Sequence, residues 1–274
     1  MGQKGDGCME TIIIGGDARF EYLARLLSER GESVGMYGGN ACPRVKAVDR
    51  AALGRSDTVV MNCPPKSDLK LEEVLEAVSD SAKVITCGPE HPDVDDGRVI
   101  DLWADEALLW DNARLTAEGA LASAMRSSTR ALAGMNCMVI GWGRVGRALT
   151  ELLVALGMRV TVASRTPTGR NRAVERGAEA ADTARIAGAL PGRKLIFNTA
   201  PAMVLNGTEL GQADPDAMLI DLASPPYGID LRAAWNRGLR AWREPGLPGR
   251  YCPQSAAEAI LNAMDRSRRE EGGI

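Results

Sequence analysis

Histidine is nearly missing from this chain. The one present, His91, lies in a polar stretch rich in Pro, Asp and Gly (residues 88–97), which reads as a solvent-facing loop. A proton relay through a His–Asp pair therefore has little to work with. Long apolar runs are absent as well. Nothing approaches the roughly 18–20 residues that cross a bilayer, and the opening MGQKGDGC has no apolar core, so it reads as a frayed terminus rather than a signal peptide. Asp6 stands where the myristoylation pattern needs Ser or Thr. Large charge of either sign is also lacking. A net charge of −3 gives no general affinity for nucleic acid or anionic lipid, so any basic site has to be local. The six cysteines (Cys8, Cys42, Cys63, Cys87, Cys137, Cys252) form no CxxC pair, which argues against zinc. They read as reduced, small hydrophobes in a cytoplasmic protein. No G-x-S-x-G elbow occurs, so a hydrolase is not indicated.

What is present is a pattern that occurs twice. Residues 11–37 and residues 137–165 each run from a short apolar strand through a glycine turn, an amphipathic helix and a glycine stop to a second strand. That is the βαβ opening of a doubly wound sheet. In the second copy Val145, Ala148, Leu149, Leu152, Leu153 and Leu156 share one helical face before Gly157; in the first, Phe20, Leu23, Ala24 and Leu27 do so before Gly31. Further strands are expected at 58–62, 84–87 and 99–103, and then at 194–198, 219–222 and 239–242. An Ala-rich helix over 116–132 reads as a hinge. Ser255 and Glu258 read as a capping box opening a last helix to about residue 266, followed by a disordered tail at 270–274. The expected fold is α/β: two Rossmann-like, doubly wound domains with parallel sheets and a cleft between them. The expected boundaries are 1–115, a connecting helix over 116–134, and 135–274.

The second glycine turn, Gly141-Trp142-Gly143-Arg144-Val145-Gly146, is G-x-G-x-x-G between strand and helix. The glycines permit a tight turn, close approach of a pyrophosphate and close helix–strand packing, with helix amides facing the anion. The next strand ends Ser164-Arg165-Thr166, without the carboxylate that holds a ribose 2′-hydroxyl in NAD sites. Arg165 can pair with a 2′-phosphate, Ser164 and Thr166 add hydroxyls, and Arg170 is a second candidate cation. The cofactor read from this is NADP. Thr199, Ala200 and Pro201 after one strand, and Leu222 and Ala223 after the next, are expected to border the nicotinamide end. Asp221 is open to a purely structural role as a strand-end cap.

Several of these segments together resemble a known family. Ile14-Gly15-Gly16-Asp17-Ala18-Arg19, Leu115-Thr116-Ala117-Glu118-Gly119, the glycine motif, Asn198-Thr199-Ala200-Pro201, Leu219-Ile220-Asp221-Leu222-Ala223-Ser224 and Glu244-Pro245-Gly246-Leu247-Pro248-Gly249 are similar, in that order, to the A subunits of dipicolinate synthase. The glycine motif alone would not be specific. The family pattern continues Ala-Pro-Lys-Thr-Ala-Gly, where this chain has Cys252-Pro253-Gln254-Ser255-Ala256-Ala257, so Gln254 replaces a lysine. Residues 38–57 are also shorter than the family pattern. The resemblance implies loss of water from a lysine-pathway cyclic dicarboxylate, then hydride transfer to NADP to give the aromatic pyridine. Positioning would carry most of the rate. It also implies a partner, a flavoprotein-like B subunit, and the mother cell of a sporulating bacterium as location. Self-association is left open.

A dicarboxylate needs cations or amide nests. Arg19 is the candidate grip for one carboxylate, with Asp17 orienting it or capping its helix. Thr116 and Glu118 lie at the expected hinge, Glu118 being the candidate proton acceptor or a carboxylate favoured by the helix dipole. Ser224, the loop 225–228, and Gly246, Leu247 and Pro248 are expected to wall the site, with Arg250 standing in for the missing lysine. Two alternatives stay open. One is an NADP enzyme of shikimate-dehydrogenase-like architecture using a Lys–Asp pair among Lys66, Asp68 and Lys70; the other is a catalytically silent NADP-binding regulator.

Overall fold

The structure, a computed structural model, describes residues 9–39 and 43–272. The expected frayed leader, Cys8, Cys42 and residues 273–274 lie outside these. The chain divides into two compact units: one comprises the residues up to Asn112 together with those from Pro248 onward, the other Ala113–Leu247.

Unit 1 opens with β1 (Met9–Ile14), α1 (Ala18–Glu29) and β2 (Val34–Tyr37), followed by β3 (Val45–Ala47), β4 (Ser56–Asn62), α2 (Leu71–Ala77), β5 (Lys83–Cys87) and β6 (Val99–Asp101). Its six strands run in the order β3-β2-β1-β4-β5-β6, every neighbouring pair parallel. Strands 1 and 4 are buried on both faces, so they read as the apolar runs typical of a parallel sheet. α3 (Glu106–Ser127) carries the boundary between units. It begins ten residues before the expected helix because Asp105 caps it, its carboxylate accepting from the Leu108 amide at 2.9 Å.

Unit 2 repeats the plan with β7 (Asn136–Ile140), α4 (Arg144–Ala155), β8 (Arg159–Ser164), α5 (Pro167–Glu175), β9 (Glu179–Asp182), α6 (Ile186–Ala189), β10 (Leu195–Asn198), α7 (Gly207–Leu210), β11 (Met218–Asp221), α8 (Leu231–Trp235) and β12 (Arg240–Arg243). The order β12-β11-β10-β7-β8-β9 is the same permutation of strands as in unit 1, again all parallel. The expected pair of Rossmann-like domains is therefore observed. β3 and β9 were not legible. Both are short edge strands, and Glu-Ala-Ala-Asp in β9 has no apolar alternation to reveal it.

The chain then passes through α9 (Leu247–Tyr251) and α10 (Pro253–Gly272). The expected assignment of the last helix to the second domain is corrected here. Ala257, Ile260, Leu261 and Met264 of α10 share a core with Phe20, Leu23 and Leu27 of α1, which ties the helix to unit 1. Arg30–Asp265, Arg268–Glu32 and Arg266–Asp105 pairs border the same packing; exposed pairs of this kind add little, so the apolar face decides. The capping box is also corrected. The helix starts at Pro253, a residue suited to a first turn, so Ser255 lies inside it and Glu258 instead accepts from the Gln254 side-chain amide at 3.1 Å. Residues 270–272 continue the helix rather than forming a disordered tail. Cys63, Cys87 and Cys137 are buried and unbridged, and burial pushes the thiols of Cys87 and Cys137 up to about 12, as expected of inert hydrophobes. Among the described residues no helix is long and apolar enough to cross a membrane.

Candidate functional site

The glycine motif of unit 2 is built as its spacing requires. Gly141 follows β7 at φ +104°, and a side chain there would meet the Thr199 hydroxyl at 2.5 Å. That hydroxyl in turn donates to the Ile140 carbonyl at 2.9 Å. Gly143 is the N-cap of α4 with open space where its Cβ would be, so a ligand can approach the exposed amides. Gly146 presses on the turn itself: a Cβ would lie 2.3 Å from the Gly141 carbonyl oxygen. Each glycine thus has the separate role the motif assigns it.

Above this turn lies a cavity of about 590 Å³. It brings together Gly141, Gly143, Ser164, Arg165 and Thr166, with Thr199, Ala200 and Pro201 on the far side. Arg144, Val145, Gly146, Leu222 and Ala223 are not in its lining. Gly146 acts from beneath, while the Leu222 amide donates to the Asn198 carbonyl and the Ala223 amide to Asp221, so that segment is spent on the sheet edge. Trp142, Thr168, Arg172 and Thr183 line the cavity without having been singled out in the sequence.

The cation assignment changes accordingly. Arg170 does not reach the cavity as a free charge. Its guanidinium donates to the carbonyls of Ser164 (2.8 Å) and Arg165 (3.1 Å) and pairs with Asp182 at 3.2 Å, bracing the turn after β8. Arg172, two residues on and so on another face of α5, lies one helical turn after Thr168, and both line the cavity. Neither Arg165 nor Arg172 makes a side-chain hydrogen bond or ion pair among the described residues, and no Asp or Glu lines the cavity. Two uncommitted guanidinium groups in a pocket without carboxylates form an anion site. The glycine cradle and these cations together fit a phosphate-bearing dinucleotide.

Behind the cavity, Asn198 and Asp221 form a buried polar clasp. Asp221 is 1 % exposed and accepts from Asn198 Nδ2 (2.7 Å) and from the amides of Ala223 (3.3 Å), Gly228 (3.0 Å) and Ile229 (3.1 Å). Its geometry is the strand-end cap that stood open in the sequence. It fixes the turn through Ser224 and Tyr227, whose ring lies 3.8 Å from the Arg243 guanidinium. Ser224 is exposed on that turn.

Unit 1 holds a second cluster. Asp17 caps α1, accepting from the Arg19 amide at 3.1 Å, and takes the Arg19 guanidinium in a two-point grip, Nε to Oδ1 and Nη2 to Oδ2, both at 2.8 Å. The Arg19 side chain is 13 % exposed, so it is not a solvated first-turn residue. Lys66 reaches the same carboxylate at 3.3 Å. Burial alone would raise the Asp17 carboxyl; the Arg19 hydrogen bonds and charge outweigh it, with Lys66 helping, and hold it down at about 2. Gly249 closes over the carboxylate, since a Cβ there would stand 2.8 Å from it. This explains the glycine that ends the Gly246-Leu247-Pro248-Gly249 segment. Gly246 makes its turn at φ +64°, and Leu247 and Pro248 are buried.

The remaining candidates are dispersed. Thr116 is half-buried and Glu118 exposed on α3, within unit 2. His91 is exposed, as expected, and pairs with Asp101. A Lys–Asp pair among Lys66, Asp68 and Lys70 does not form: Asp68 accepts from the Tyr37 hydroxyl, the Lys70 amide donates to Glu73, and Lys66 turns to Asp17. Gln254 bonds along its own helix to Glu258, and Arg250 is exposed near the Tyr251 ring.

Fold and cradle define an α/β protein with a dinucleotide-type cradle, and its likeness to known proteins makes it oxidoreductase-like. In agreement, residues 109–224 match the family described as D-isomer specific 2-hydroxyacid dehydrogenase, NAD binding domain. Along nearly its whole length the chain is similar to one particular protein, the A subunit of dipicolinate synthase. It is 25% identical to the Bacillus subtilis (strain 168) form over 94% of this chain and 95% of the relative. The crystal structure of the Bacillus halodurans form superposes with a TM-score of 0.79 at 25% identity, covering 96% of this chain and 98% of that one. The Bacillus subtilis crystal structure gives a TM-score of 0.80 at 22% identity over 97% of both chains, and adds agreement of fold. The resemblance read from the scattered motifs therefore extends through sequence and architecture. The match to a hydroxyacid-dehydrogenase family concerns residues 109–224 alone, under half of the chain.

Proposed function

We propose that this protein is an NADP-dependent oxidoreductase that oxidises dihydrodipicolinate to dipicolinate, working beside a flavoprotein-like B subunit in the cytoplasm of a sporulating cell. The observation that carries the cofactor choice is the pair of uncommitted guanidinium groups, Arg165 and Arg172, in a cavity with no carboxylate. Arg165 and Arg172 would hold the 2′-phosphate, the Gly141–Gly143 turn and α4 amides the pyrophosphate, and Thr199 to Pro201 the nicotinamide side. NADP, when bound, would supply the hydride acceptor, and the dihydropyridine ring becomes aromatic on losing that hydride and a proton. The protein's own share is orientation. Arg19, fixed by Asp17, would grip one carboxylate of the substrate. Glu118 is assigned the proton released with the hydride.

The reading is tested by supplying the product of the lysine-pathway synthase (made in place from pyruvate and aspartate semialdehyde) together with NADP, with and without the B subunit. Dipicolinate and NADPH should appear in equal amounts when both proteins are present. Measurable NADP binding without either product would overturn the reaction while leaving the cofactor assignment intact.

A further inference from the structure

In an open parallel sheet, ligands sit outside the carboxyl ends of the strands, where the strand order reverses. In unit 1 that point lies between β1 and β4. Asp17 and Arg19 follow β1, while Asn62 ends β4 and Lys66 follows it. The two segments meet there: Ile14 is in register with Met61, and a Cβ on Gly15 would stand 3.1 Å from the Lys66 carbonyl oxygen and 3.2 Å from Ser67.

Three features mark this edge as a ligand site rather than a structural ion pair. Two cations face one carboxylate, so the cluster keeps a net positive charge. Asp17 uses two of the five N–H donors of Arg19, and the rest of the guanidinium has no partner among the described residues. Asn62, 4 % exposed, leaves its side-chain Nδ2 without a hydrogen-bond acceptor, and it stands in register with Cys87 at the end of the adjoining β5. A buried donor without a partner costs about 1–3 kcal/mol, and it marks a place where an acceptor belongs.

We propose that this edge binds one carboxylate of an organic acid, with Lys66 and Arg19 supplying the charge and Asn62 a further donor. Asp17 is a positioning residue that presents both cations. The site deepens the proposed function, on which it rests only for the identity of the acid. Lys66 is the residue to test, because its side chain is 48 % exposed and its removal leaves the Asp17–Arg19 pair in place.

The experiment is calorimetric titration of the full chain with pyridine-2,6-dicarboxylate, pyridine-2-carboxylate, pyruvate and the neutral pyridine-2,6-dicarboxamide. It compares the parent protein with Lys66→Met and Lys66→Arg, each checked by its melting curve and by NADPH binding. At least one carboxylate should bind and the diamide should not. Lys66→Met should weaken that carboxylate about tenfold or more, Lys66→Arg should restore it to within a few-fold, and NADPH affinity should not move. If pyruvate or the monocarboxylate shows this dependence and the dicarboxylate does not bind, the site stands and the dicarboxylate substrate falls. Lys66→Met binding every acid as the parent does, or no acid binding the parent, overturns the site whether or not dipicolinate is made.

Discussion

Replacing Asp17 with Asn isolates one charge. Asn is nearly the same shape and is a good helix cap, so the bond from the Arg19 amide at the start of α1 survives. What goes is the counter-charge for Arg19 and Lys66. The Asp17 carboxyl is lowered from 3.8 to about 2, and a shift of this size corresponds to about 2 kcal/mol of stability at neutral pH. Leaving Arg19 buried without its partner adds to the loss. The sign follows from the direction of the shift. A carboxyl lowered by folding contributes fully above its unfolded value, near pH 4, and loses the contribution as pH falls through about 2. The variant should therefore be less stable by about 2 kcal/mol or more at pH 7, and the gap should narrow between pH 4 and pH 2. Asp96 is also lowered to about 2 by Arg98, but it titrates in both proteins and cancels in the difference. Urea unfolding at pH 7, 4 and 2, read from amide exchange in β1 so that unit 1 is followed by itself, measures this. A gap under about 0.5 kcal/mol at pH 7, or one that does not change with pH, would refute the claim that charge pairing organises this cluster.

Other substitutions probe the remaining parts. Gly146→Ala places a methyl 2.3 Å from a backbone oxygen that cannot move aside cheaply, so it should cost about 1–3 kcal/mol and weaken dinucleotide binding; unchanged melting and affinity would show that the turn is looser than its packing indicates. Asp221→Ala strands the Gly228 and Ile229 amides in a buried place and should cost about 3 kcal/mol or more in denaturant unfolding. A loss under about 1 kcal/mol would mean that the clasp is replaceable by water.

Much of the architecture was legible because each unit announces itself by a glycine turn followed by a helical stripe. Phe20, Leu23, Ala24 and Leu27 are all buried, as their spacing indicated. Pattern alone does not say which core a helix joins, and so α10, amphipathic in its own right, was placed with the wrong unit. Edge strands such as Glu179–Asp182 bury little and leave no apolar trace. The cofactor turn was legible because backbone geometry demands glycine there. The cation was only half legible. Arg170 and Arg172 are equally basic, and only the start of α5 at Pro167, capped by Thr166, decides which one turns back on the carbonyls and which faces the cavity. Lys66 was weighed only beside Asp68, its neighbour in sequence, since its actual partner Asp17 is far away in the chain.

The direct test of the central claim is a fluorescence titration of NADPH and NADH against the parent protein and against Arg165→Asp and Arg172→Ala. With each charged contact to phosphate contributing about 1.5–3 kcal/mol, the parent should prefer NADPH by at least about tenfold. Either substitution should erode that preference, Arg165→Asp toward NADH through repulsion of the 2′-phosphate, with little change in NADH affinity for Arg172→Ala. Equal affinity for the two nucleotides in the parent, or a preference that both substitutions leave intact, would contradict the account.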